Sequence, residues 1–144
     1  YPPGQKLSRR DILTELPFGN VTVMVELSGA DLKAALENGV SLYEQRAGRF
    51  AQVSGMTYEF DPKLPVGQRV TAVTVAGQPL DPAKTYKVAA NEFILAGGDG
   101  YTSLGKGKVL IGLTDGKLMA NEVMVYVRKL GEVTSKVEGR IAIK

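Results

Sequence analysis

The sequence predicts an α+β domain in which helices pack on a mixed β-sheet, and three observations carry that expectation. Val21, Val23, Val25 and Leu27 alternate with Thr22, Met24 and Glu26, the two-residue period of a strand with one buried face. Leu32, Ala35, Leu36, Val40 and Tyr43, and later Met119, Val123, Tyr126, Val127 and Leu130, recur at three- and four-residue spacing, the period of a helix with one apolar stripe. Across 144 residues, 44% hydrophobic and 23% charged, there is no internal repeat and no compositional break, so residues 1–144 are expected to form one domain around one core.

Taken in order, residues 1–7 read as an extended lead-in. Ser8 can cap a short helix through Leu16, with Asp11 three residues on completing a capping pair, and Pro17 ends it. The first strand follows, and Ser28 with Asp31 repeats the capping signal before a helix over about 29–43. Phe50 to Phe60 is strand-like and stops at Asp61-Pro62. Arg69–Ala76 and Tyr86–Phe93, rich in β-branched and aromatic residues, are expected to be neighbouring strands joined by the Gly- and Pro-containing turn 77–82. The glycine-dense stretch 96–101 suits no regular element. Thr114 or Asp115 can cap a helix over about 117–130 that Gly131 terminates, and Val137, Ile141 and Ile143 alternate in a last strand.

Composition excludes several function classes. No Cys and no His are present, so the chain has no thiolate nucleophile, no Ser-His pair, no zinc ribbon and no imidazole metal ligand. Carboxylates could still hold a hard divalent ion. The formal charge is +3, and Lys106, Lys108 and Lys117 sit among glycine-rich turns without interleaved aromatics. A solvated face is expected there, not a groove for a nucleic acid polymer. No window supplies the roughly 18 consecutive apolar residues of a membrane span. The start at Tyr1-Pro2-Pro3-Gly4, without an initiator Met or an apolar leader, reads as a piece of a longer polypeptide.

Three stretches carry the candidate chemistry: Leu16-Pro17-Phe18-Gly19-Asn20, then Gly48-Arg49-Phe50-Ala51-Gln52-Val53-Ser54-Gly55, then Asn91-Glu92-Phe93-Ile94-Leu95-Ala96-Gly97-Gly98-Asp99-Gly100-Tyr101. Read alone, each residue has a plain structural account. Phe18 after a helix-stopping Pro and Phe93 in an apolar strand fit core positions, Asn20 fits an Asx-turn, and Asp99 fits a turn carboxylate. Arg46 and Arg49, flanking Gly48, fit a solvated loop or a contact to phosphate, and Tyr101 either packs beside the glycine turn or lines a pocket.

Together with Glu138-Gly139-Arg140-Ile141, these stretches resemble the C-terminal domain of the 5'-nucleotidase family over nearly the whole chain and in the same order. The resemblance implies that Phe18 and Phe93 sandwich a nucleobase, that Asn20 bonds the base edge, and that Asp99 accepts hydrogen bonds from ribose hydroxyls. Gly98 and its neighbours would allow the turn that places Asp99. It further implies that nucleosides or nucleotides are the ligands, and that the partner is the chain's own N-terminal metallophosphoesterase domain. That domain would hold two divalent metal ions and the catalytic residues, so no catalytic residue, metal ligand or cofactor is assigned here and the fragment alone is expected to be inactive. The family's Asn-Gly-Gly-type motif and following Arg belong just upstream of Tyr1. A periplasmic or extracellular location is also implied. Similar domains occur in UDP-sugar and cyclic-phosphate hydrolases and in sulfur-oxidation proteins, and a non-enzymatic docking or dimerisation module is the remaining reading.

Overall fold

A computed structural model describes residues 1–144, and its elements follow the sequence patterns closely where those patterns are local. Helix α1 (Arg9–Glu15) opens with the anticipated capping box: the Ser8 hydroxyl accepts from the Asp11 N–H, and the Asp11 carboxylate accepts from the Ser8 N–H. Strand β1 (Val21–Ser28) buries Val23, Val25 and Leu27 on one face. Helix α2 (Gly29–Val40) starts at Ser28, whose hydroxyl accepts from the Asp31 N–H. It ends earlier than the spacing predicts, and Tyr43 lies on a separate 3₁₀ turn, Tyr43–Gln45.

Beyond α2 come β2 (Met56–Phe60), β3 (Val70–Val75), β4 (Gln78–Pro79), β5 (Thr85–Asn91), the single-turn helix α3 (Glu92–Leu95), β6 (Lys108–Ile111), β7 (Lys117–Leu118), α4 (Met119–Leu130) and β8 (Ile141–Ile143). They form two four-stranded sheets, where the sequence suggested one. In the first, β1 pairs antiparallel with β5 along one edge and with β6 and β7 along the other. In the second, the order is β4-β3-β2-β8, and the parallel pairing of β2 with β8 makes it mixed.

Helix α2 explains why two sheets share one domain. Its Leu32 and Ala35 pack with Val25, Leu27, Tyr101 and Leu104 of the first half, while its Leu36 and Val40 pack with Tyr58, Phe60, Val70 and Val73 of the second. Residues three and four apart lie on one stripe of a helix, and this stripe serves both sheets from end to end. Met56 and Leu80 touch both clusters and close the seam.

Other expectations are corrected by long-range pairing. Strands β3 and β5 are not neighbours: they belong to different sheets, and the turn between them instead forms the short hairpin partner β4. Residues 50–55 are irregular, because Phe50, Ala51 and Val53 pack against the second core without strand partners. Phe93 falls on α3, since Asn91 caps a helical turn by accepting from the Ile94 N–H. Neither Thr114 nor Asp115 caps α4; the Met119 N–H is satisfied by the Asn20 carbonyl, 2.8 Å away. Gly131 does terminate α4, and the last strand is shorter than the alternation implied. No helix is long and apolar enough to cross a membrane.

Candidate functional site

Two of the segments singled out by their motifs, 16–20 and 91–101, meet where β1 begins and β5 ends, and the third, 48–55, lies along α2 and β5. Helix α1 stops at Leu16, Pro17 turns the chain, and Phe18 stands out from the surface with 84% of its area exposed. Phe93, on the first turn of α3, is half-exposed at 50%. Neither is a core residue. The fold thus leaves both rings uncovered.

Asn20 is the junction between them. Its carbonyl accepts from Met119 at the start of α4, and its Nδ2 donates to Glu92 Oε1 at 3.1 Å. The other carboxylate oxygen of Glu92 accepts from the Val21 N–H at 2.6 Å. Burial works against a charge on Glu92, but these two hydrogen bonds, together with its own backbone N–H, outweigh it and hold its pKa below the usual glutamate value. The Asn20 Oδ1 has no donor within the protein and remains free to accept. Sequence reading overlooked Glu92, although it sits inside the motif, because its partners are 71 and 72 residues away.

The glycine loop is built around Phe93. A Cβ placed on Gly98 would lie 2.6 Å from ring atoms Cε1 and Cζ and from the Phe93 carbonyl, so the loop backbone lies directly against the aromatic ring. Asp99 follows with φ +52°, a left-handed conformation that Asp tolerates better than most residues. Its carbonyl accepts from Asn38 Nδ2 of α2 at 3.0 Å. Gly100, at φ +83°, allows that approach: a Cβ there would come within 2.7 Å of Asn38 Oδ1. The Asp99 carboxylate is exposed and has neither a hydrogen-bond nor an ion-pair partner in the chain, which leaves both oxygens available to an external donor.

Tyr101 packs beside the glycine turn and also lines a cleft. It is buried beside the loop and its hydroxyl donates to the Arg49 carbonyl. Burial, reinforced by the Asp99 charge, pushes its pKa up. The Arg49 guanidinium touches Asn38 and Ser41 only at 3.5 Å, and Arg46, in left-handed conformation, is exposed. A mostly apolar cleft of about 300 Å³ runs between α2, β5 and the 48–56 segment, with Arg49, Phe50, Asp99 and Tyr101 among its walls. Phe18, Asn20, Phe93 and Gly98 lie outside it. Asp99 is thus the one predicted site residue shared by the cleft and the exposed aromatic rim.

The structure therefore links Asn20 to the Phe93 helix through Glu92, Phe93 to Gly98 by contact, and Asp99 to α2 through Asn38. An open aromatic face, a free amide oxygen and an unpaired carboxylate are the groups a flat, hydroxyl-bearing ligand would use. No group of three or more acidic, His or Cys side chains converges to hold a metal ion.

Comparison with known proteins gives concordant results. A family profile described as "5'-nucleotidase, C-terminal domain" matches residues 1–106. A 5'-nucleotidase from Diplobatis ommata is 36% identical over 140 residues, covering 90% of this chain and 24% of its own length. The crystal structure of a 5'-nucleotidase precursor from Thermus thermophilus superposes with a TM-score of 0.88 at 41% identity, over 95% of this chain and 28% of that one. The sulfate thiohydrolase SoxB of T. thermophilus, solved with glycerol, shares the fold at TM-score 0.74 and 26% identity, over 98% of this chain and 26% of its own. The chain spans about a quarter of the length of these proteins.

Proposed function

This chain belongs to the 5'-nucleotidase C-terminal domain family, and on that footing we propose that it recognises the nucleoside part of the substrate for a 5'-nucleotidase, a metal-dependent hydrolase of nucleoside 5'-monophosphates and related nucleotides. The base stacks between Phe18 and Phe93, the Asn20 amide oxygen accepts from the base edge, and the Asp99 carboxylate accepts from ribose hydroxyls beside Gly98. The observation that carries this reading is the exposure of both phenylalanines, with Phe93 lying against the Gly98 turn that bears a carboxylate with no partner of its own. Stacking on an aromatic face contributes about 1–3 kcal/mol per base and needs a ring that the fold has left uncovered.

Hydrolysis itself is assigned to an N-terminal metallophosphoesterase domain carrying two divalent metal ions, the chain's expected partner. A periplasmic or extracellular location accords with the family resemblance. The likeness to SoxB supports a second reading, in which the same fold serves a sulfur-oxidation protein. UDP-sugar or cyclic-phosphate hydrolysis would retain the same nucleoside contacts.

Kinetics on the full-length protein decide among these. We expect metal-dependent cleavage of AMP, with KM raised about tenfold or more by Phe18→Ala and by Phe93→Ala, as loss of one stacked face implies. A folded, metal-loaded protein that cleaves no nucleotide removes the nucleotidase reading. Unaltered AMP kinetics in both variants removes the stacking assignment. This domain alone should turn over nothing.

A further inference from the structure

We propose that Glu92 is a positioning residue for nucleoside recognition, one that fixes the Phe18–Asn20 segment to the helix bearing Phe93 so that both aromatic faces are held in one geometry. The proposal rests on the stacking reading above and adds to it a residue that neither the motif nor the family match assigns.

The register of the first sheet shows why a side chain is needed at this point. Strand β1 pairs with β5 from Ser28↔Thr85 as far as Thr22↔Asn91, so the next rung of the ladder would join Val21 to Glu92. At Glu92, however, the backbone has already turned into α3. The Glu92 carboxylate takes the place of the missing rung: Oε2 accepts the Val21 N–H at 2.6 Å, and Oε1 accepts Asn20 Nδ2 at 3.1 Å. Glu92 forms no ion pair, so its carboxylate is committed to these two donors. One side chain thereby ties down the two residues that follow Phe18-Gly19, while its own backbone immediately precedes Phe93.

The chemistry of the group is specific. Two donors converge on two oxygens, so only an ionised carboxylate satisfies both. A glutamine at this position would keep one acceptor and turn an NH₂ toward a donor, and an aspartate is one methylene shorter. Without the clamp, Phe18 would sit on a segment held at Asn20 only by its main-chain bond to Met119. The aromatic faces would still exist, but ordering them would fall to the ligand and weaken its binding.

The test uses the full-length enzyme with AMP and with ribose 5-phosphate, which lacks a base. Glu92→Gln conserves volume and keeps one of the two bonds, and Glu92→Ala removes both. Each should raise KM for AMP relative to KM for ribose 5-phosphate, by about threefold and about tenfold respectively, with the kcat ratio of the two substrates unchanged. In Phe18→Ala protein, adding Glu92→Ala should raise the AMP KM little further, because a clamp cannot position a ring that has been removed. If Phe18→Ala alone shifts the AMP KM but neither Glu92 variant does, Glu92 positions nothing and the stacking reading survives. If Phe18→Ala shifts nothing, the stacking reading fails first. Equal KM increases for both substrates would show general loosening of the domain and also overturn the proposal. Should Glu92→Ala fail to fold, Glu92→Gln decides by the same ratio.

Discussion

The two sheets use the same device at the same place and for different ends. In the second sheet, Glu37 of α2 accepts the N–H groups of Arg69 and Val70 at 2.9 and 2.8 Å where β3 begins. In the first, Glu92 accepts Val21 N–H and Asn20 Nδ2 where β1 begins. Glu37 is buried, and the strand it grips leads into a cluster where Phe60 is fully enclosed by Tyr43, Phe50 and Tyr58, ring centroids 5.0–6.2 Å away. Glu92 is only part-buried, and the aromatic residues beside it, Phe18 and Phe93, face solvent. A carboxylate gripping the start of a strand is thus common to both halves. What separates the closed core from the open rim is whether the neighbouring rings have already found partners inside the fold.

The largest effect expected from this contrast is at the rings. Phe60→Ala should lower unfolding free energy by about 3–5 kcal/mol, the cost of emptying a well-packed aromatic site. Phe18→Ala should stay within about 0.5 kcal/mol of the parent, as an exposed substitution does. Urea melts of the two variants measure both. Comparable losses would mean that Phe18 is structural, and the distinction between the halves would collapse.

The two carboxylates come next. Glu37→Ala strands two buried backbone N–H groups, each costing about 1–3 kcal/mol when left without a partner. Glu92→Ala releases donors close enough to the surface for water to replace the carboxylate, so its cost should be about 1 kcal/mol or less. Midpoints of denaturation for this pair sharpen the comparison: a Glu92 loss as large as that of Glu37 would make the rim as integral to folding as the core.

The sequence disclosed whatever local chemistry dictates. Ser8 with Asp11 and Ser28 with Asp31 announce helix starts because capping spans three residues, and β1 is legible because its alternation reflects one buried face. Strand β6 escaped notice because all four of its residues are exposed and no alternation marks them. The partition into two sheets was equally hidden, since it depends on which distant strands pair: β2 joins β8 across some eighty residues, while β3 and β5, close in sequence, part company. Core packing of Phe50 and Val53 mimicked a strand, because apolar contact and strand pairing leave the same residue types behind. At the candidate site, Phe18, Phe93 and Asp99 were singled out only through the resemblance; from the residues alone both rings fitted a core, and exposure decided against that. The Gly98–Phe93 contact and the bonds made by Glu92 and Asn38 join residues through space, and no short motif encodes them.

The smallest effect, and the most selective, is expected at the turn carboxylates. Asp99 in the rim has no protein partner, whereas Asp61, at the end of β2 in the second sheet, accepts the Lys63 N–H at 2.9 Å and so already has a structural use. Asp99→Asn preserves shape and tolerates the left-handed φ of +52°, where Asp99→Ala would add backbone strain and confuse the result. If Asp99 accepts from ribose hydroxyls, replacing its charge should remove most of a charge-assisted contribution of about 1.5–3 kcal/mol. The preference of the full-length enzyme for AMP over its 2',3'-dideoxy analogue, measured as the ratio of kcat/KM, should then fall about tenfold. Asp61→Asn should leave that ratio and the stability nearly unchanged, since the asparagine Oδ1 still accepts the Lys63 N–H and the residue lies in the other half of the domain. An Asp99→Asn enzyme that keeps the parental ratio would assign Asp99 to the turn alone and leave the sugar unread by this loop.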